Sequence, residues 1–241
     1  MGQGEAPEWL TAVWSRALIE AGSPAPASEI ARVGGKLLER WANPARHFHG
    51  MSHLIMVLEK IDELSQEASC PCLVRIAAYY HGAILSTGSE PASRRAWSED
   101  EALSADLAEG QLRHLEVPEP KALRIRELIA NLGARPDHMK DPDLAVLCDS
   151  ERAILAADPR TYRAYERALR AEWADGPVPA ILEARIAVLR RWLSKDRLFA
   201  TSGTAAWEDA ARNNIEAELA RSLRELAAPE PPPVPAPAST G

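Results

Sequence analysis

The chain has 241 residues, 46% of them apolar, which is enough to bury a full core in one large domain or two small ones. A formal net charge of -7 leaves no basic footprint and argues against nucleic acid and anionic membrane as partners. No apolar run approaches the roughly 18 residues of a spanning helix. The N-terminus lacks the make-up of a secretory signal, and the odd set Cys70, Cys72 and Cys148 fits a reduced, cytoplasmic setting.

Ala, Leu, Arg and Glu dominate nearly every segment and no alternating β-branched runs compete with the helical period, so an all-α fold is predicted. The first helix is expected over Pro7 to Ala21, with Trp9, Val13, Trp14 and Leu18 on its apolar stripe. The second runs from an N-cap at Ser28 to Trp41, where Asn43-Pro44 breaks it. Further helices are predicted over Met51 to Gln66, Pro71 to Leu85, Glu99 to Leu115, Pro118 to Leu132, Asp141 to Ala156, Pro159 to Trp173, Pro177 to Ser194 and Ala206 to Leu226. Proline opens four of these, at a position where its missing N–H costs nothing. One domain over residues 1–226 follows, and the proline-rich stretch 227–241, without apolar periodicity, is expected to be an extended, disordered tail. The stretch 86–98, STGSEPASRRAWS, is the other irregular segment.

Chemistry concentrates in RHFHGMSH, residues 46–53. His49 and His53 are four apart, a spacing that on a helix puts two imidazoles on one face, close enough to share an ion. His81 lies in the otherwise apolar CLVRIAAYYHGAIL, where a buried imidazole needs a partner, either a core hydrogen bond or a metal. The candidate carboxylates are Asp149 and Glu151 in CDSERAILAAD. They stand about 200° apart around a helix, so only one of them can face inward. His47, His114 and His138 are read as surface or loop residues. Arg46, and the pair Arg94 and Arg95 in the loop after His81, are candidates for binding phosphate oxygens through forked hydrogen bonds.

Laid out in this order, the pattern resembles the HD superfamily of metal-dependent phosphohydrolases, and within it one bacterial branch of small HD-domain proteins. RHFHGMSH (46–53), AAYYHG (77–82), DEALSA (100–105) and CDSERAIL (148–155) carry the resemblance, and YRAYERALRAEW (162–173), ARIAVLRRWL (184–193) and ARNNIEAEL (211–219) extend it through the later helices. It implies a compact HD-like helical bundle. It further implies a divalent metal (Mn, Fe or Zn) held by His53, His81 and one of Asp149 and Glu151, with His49 as an accessory ligand, and a small phosphorylated molecule as substrate.

Two departures alter that expectation. Gly82 stands where the family has the aspartate of its His-Asp doublet, and Glu151 stands where the second aspartate of the later helix would be, with Asp149 retained at the first. A glycine in mid-helix also costs about 1 kcal/mol relative to alanine. Three readings follow: an HD-type homologue with an impaired or lost metal site, an active hydrolase with a His-rich mononuclear centre, and a non-catalytic helical protein that binds a ligand or partner. Asp149 is the acid favoured as ligand, since it keeps the family's residue type.

Overall fold

The computed structural model describes residues 7–85, 94–133, 140–172 and 177–228, with the backbone alone over 94–100. Among them are ten α-helices and no strand: α1 (Glu8–Glu20), α2 (Ala27–Trp41), α3 (Met51–Glu63), α4 (Pro71–Tyr80), α5 (Arg94–His114), α6 (Glu119–Ala130), α7 (Pro142–Arg152), α8 (Pro159–Glu172), α9 (Val178–Leu193) and α10 (Trp207–Ala227). Short 3-10 turns follow α3 and α7 and precede α10. No helix of the described residues is long and apolar enough to cross a membrane.

Most helices start within two residues of where proline and the apolar period place them, and the differences have local causes. Helix α1 turns Leu10, Trp14, Ala17 and Leu18 into the core and leaves Trp9 largely exposed, so its buried stripe is rotated by one residue from the expected one. Helix α2 already begins at Ala27 after Pro26, with no side-chain cap, so Ser28 lies inside its first turn. Helix α5 begins at Arg94, which moves the Arg94-Arg95 pair from a loop to a helix start. The expected tail and His138 fall outside the described residues, apart from Ala227 at the end of α10 and Ala228 after it.

The largest difference is at α4. It ends at Tyr80, five residues before the expected Leu85, because His81 leaves the helix with ψ 125° and Gly82 takes φ +67°, the left-handed region that glycine enters without steric cost. Gly82 is therefore a helix-terminating residue and not the weakened helix interior that the sequence suggested. His81, likewise, caps α4 and is not embedded in it.

One apolar cluster joins α1 to α7 around Trp14, Trp41, Tyr79 and Tyr80. Trp14 donates to the Ile30 carbonyl (2.8 Å), Tyr79 to the Leu10 carbonyl (2.6 Å) and Trp41 to the Tyr79 carbonyl (2.9 Å), so each large aromatic meets its polar obligation while buried. A second cluster gathers Leu155, Tyr162, Leu189, Leu198, Phe199 and Ile215 from the later helices, and Trp207 packs against both. His53 and His81 pack against Trp41 of the first core, and Phe48, next to His49, packs against Tyr165 beside the second.

Candidate functional site

RHFHGMSH is mostly not helical. Residues 47–50 form a bend, Gly50 precedes α3 with extended backbone, and only His53 of the expected pair sits on that helix. The bend still brings the rings together: His49 and His53 have centroids 5.4 Å apart, and His53 and His81 5.3 Å. All three are buried, at 6%, 3% and 4% exposure.

His53 Nε2 lies 3.2 Å from His81 Nε2. His81 Nδ1 lies 2.6 Å from the Ala78 carbonyl, which can only accept, so Nδ1 carries the proton and Nε2 of the neutral ring holds the lone pair. His53 Nε2 then donates across the pair, and His53 Nδ1 is left buried without a protein partner. Burial holds the His81 imidazolium down to about 4, against the help of the Ala78 carbonyl, and the charges of His49 and Arg46 lower it further. Burial, then the charges of His81 and His49, keep His53 well below the ordinary histidine range. Both rings are neutral at neutral pH.

Arg46 anchors the bend to the end of α4. Its guanidinium donates to the carbonyls of Gly82 (2.6 Å), Ala83 (3.2 Å) and His49 (3.3 Å), and it lies over the Trp41 ring at 5.4 Å. These bonds hold the chain on either side of the histidine pair. The guanidinium that the sequence offered to phosphate is spent on backbone.

The carboxylates are distributed differently from the sequence expectation. Asp149, fully buried on α7, accepts from Ala200 N (2.9 Å), Thr201 N (2.7 Å) and Thr201 Oγ1 (2.7 Å), and so closes the loop before α10. Burial pushes its carboxyl up from the ordinary value, opposed by these donors and by Arg152. Glu67 does the same for the next turn, accepting from Ser202 N (2.8 Å) and Gly203 N (2.6 Å). Glu151 is partly buried: burial raises its pKa, and the charges of Arg152 and His49 oppose the rise. Of the two α7 acids, Asp149 is engaged by the 200–201 turn.

An acid not singled out from the sequence completes the cluster. Glu172, the last residue of α8, accepts from Phe48 N and His49 N through Oε1 (2.8 Å each) and meets His49 Nδ1 through Oε2 (2.7 Å). Burial pushes this carboxyl up, but the His49 ring and the two backbone N–H groups outweigh it and hold Glu172 below the usual range. It lies within YRAYERALRAEW, yet nothing in its local sequence distinguishes it from Glu166, the other acid of α8. Tyr165, two turns earlier on the same face of α8, packs on Phe48 at 4.6 Å and is fixed by Arg185, itself paired with Glu218.

Among the described residues, no group of three or more His, Cys, Asp or Glu side chains has the arrangement of a metal centre. The His53–His81 pair fits part of one: two donors about 2.1 Å from an ion, at adjacent coordination positions, are separated by about 3.0–3.4 Å. No family model, curated protein or solved structure matches the chain.

Proposed function

We propose that the protein is a homologue of the HD-type phosphohydrolases whose metal site is altered and impaired, so that it binds a divalent ion through imidazoles without hydrolysing a phosphoester. The observation that carries the binding half is the 3.2 Å approach of His53 Nε2 to His81 Nε2, with His81 oriented by the Ala78 carbonyl. Metal-binding histidines are commonly held this way, by an acceptor on the nitrogen that does not bind. The orphaned His53 Nδ1 adds support, because a buried polar atom without a partner marks a site whose hydrogen bonding is incomplete.

The impaired half rests on the carboxylates. Gly82 has no side-chain ligand atom, and Asp149 already accepts from Ala200 and Thr201. In a phosphohydrolase the ion supplies charge that polarises a phosphoryl oxygen and acidifies water. Here His53 and His81 would hold the ion, with His49 beside them, and Arg46 keeps the two histidine-bearing segments in register. A small phosphorylated molecule is still the ligand class that the resemblance implies, but Arg46 is not the group to receive it.

A donor set of nitrogens favours zinc over manganese, which prefers carboxylate oxygens. The test is thermal unfolding of chelator-stripped protein with added Zn or Mn, alongside release of phosphate from p-nitrophenyl phosphate. Zinc at about 100 times its dissociation constant stabilises by about 2.7 kcal/mol, or roughly 5–10 °C for a chain of this size, and His81→Gln removes the shift. Absence of a zinc-dependent shift overturns the binding half, and metal-dependent phosphate release overturns the impaired half.

A further inference from the structure

Helices α8, α9 and α10 meet around a cavity of about 90 Å³, partly open to solvent, with an apolar wall of Leu169, Ile181 and Leu182. Arg185 of α9 and Ser222 of α10 line it as well. The Arg185 guanidinium spends Nε (2.6 Å) and Nη2 (2.9 Å) on Glu218 and shares Nη2 with the Tyr165 hydroxyl (3.1 Å). Its Nη1 makes no hydrogen bond to the described residues, and neither does Ser222 Oγ, although Ser222 is only 6% exposed. A serine hydroxyl inside a helix often turns back to a carbonyl of its own preceding turn, and this one does not. Neither atom is among the fully enclosed polar atoms that lack a partner, so each reaches the open space that its residue lines. Two donors with unused capacity thus stand on one cavity.

The charges around the cavity are paired, with one exception. Arg170 meets Glu225 through both carboxylate oxygens (2.9 and 2.6 Å), Arg221 meets Glu166 (2.7 Å) and Arg185 meets Glu218. Arg167, an exposed residue of the lining, makes no ion pair with the described residues and leaves one positive charge in surplus. We infer that this cavity is a binding site for a short-chain monocarboxylate, whose carboxylate accepts from Arg185 Nη1 and Ser222 Oγ and whose alkyl group packs on Leu169, Ile181 and Leu182. The inference stands apart from the histidines and involves no metal. A single surplus charge, beside the acids Glu166, Glu218 and Glu225, suits one negative charge better than two, and a phosphate would leave the apolar wall unused. An apolar cavity of about 150 Å³ holds benzene. On that scale 90 Å³ takes about four non-hydrogen atoms, which is the size of acetate or, with the open side, of propionate.

Titration of the 15N-labelled full chain with sodium propionate at constant ionic strength, followed through its amide shifts, tests this. Saturable shifts should gather on residues 166–170, 181–185 and 218–225, with a dissociation constant on the order of 1 mM for a ligand this small. Ser222→Ala removes one hydroxyl and leaves every ion pair in place, and it should weaken binding about tenfold. Arg167→Gln should weaken it about two- to fivefold, and less at high salt. Being at an exposed position, Arg167→Gln also serves should Ser222→Ala fold poorly. Propionamide, the neutral isostere, and inorganic phosphate should each bind at least about tenfold more weakly than propionate. A wild type without saturable shifts at these residues, or wild-type affinity in Ser222→Ala and Arg167→Gln, overturns the site. Propionamide or phosphate binding as tightly as propionate overturns the assignment to monocarboxylates.

Discussion

Asp149→Asn separates a structural acid from a metal ligand. The Asp149 carboxylate is fully buried and meets Ala200 N, Thr201 N and Thr201 Oγ1, the first at 3.0 and 2.9 Å from its two oxygens and the others at 2.7 Å from Oδ2. An asparagine oxygen in the place of Oδ2 can keep all three donors, but they lose the charge on their acceptor, and the NH2 falls beside Ala200 N, a donor facing a donor. Hydrogen bonds to a charged group are worth about 1.5–3 kcal/mol against about 1 for a neutral pair. Against that loss stands the relief of burying a neutral amide in place of a carboxylate whose pKa burial has raised. The net destabilisation is about 2–3 kcal/mol, or roughly 5–10 °C in unfolding temperature for a chain of this size. Urea unfolding followed by tryptophan fluorescence should show a lower midpoint with an unchanged slope, while zinc-dependent stabilisation stays at the wild-type level. An unchanged midpoint together with loss of the metal effect would refute the reasoning, because it would place Asp149 on the ion and not on the 200–201 turn.

Gly82→Ala should destabilise by about 1–2 kcal/mol, since alanine is strained at φ +67° and its Cβ would stand 3.4 Å from Trp41 Cη2; Gly82→Asn should cost less, because asparagine tolerates this region. A neutral or stabilising Gly82→Ala in urea unfolding would return the residue to a helix interior. In metal-free protein, stability should fall as pH drops from 6.5 towards 4. Over that window the unfolded chain protonates His81 near 6.5 while the folded state, depressed to about 4, does not, so unfolding takes up protons and the loss reaches about 3 kcal/mol for this ring alone. His53 acts in the same direction. Urea midpoints measured across this range in the presence of EDTA should slope less in His81→Gln, and equal slopes would count against buried, neutral imidazoles.

The helical architecture was legible in the sequence because its determinants are local. A 3.6-residue apolar period and a proline at a helix start act over a few residues, so α6, α8, α9 and α10 lie close to their predicted spans. The need of His81 for a partner was legible too, since an imidazole in CLVRIAAYYHGAIL must be desolvated, and the structure puts His53 against it. What the sequence left open is where each carboxylate goes and how α4 ends. Asp149 and Glu151 share one helix, and Asp149 is taken by a loop 51 residues away, whose N–H groups capture it. Glu172 lies 123 residues from the ring it orients, with no spacing to advertise the pairing. The departure of the chain from α4 at His81 is held by Arg46, across 36 residues, through the Gly82 carbonyl. Periodicity sets which face of a helix is buried; which buried polar group meets which is decided only when the helices pack, because each donor and acceptor taken from water must find its partner among whatever the fold brings within about 3 Å.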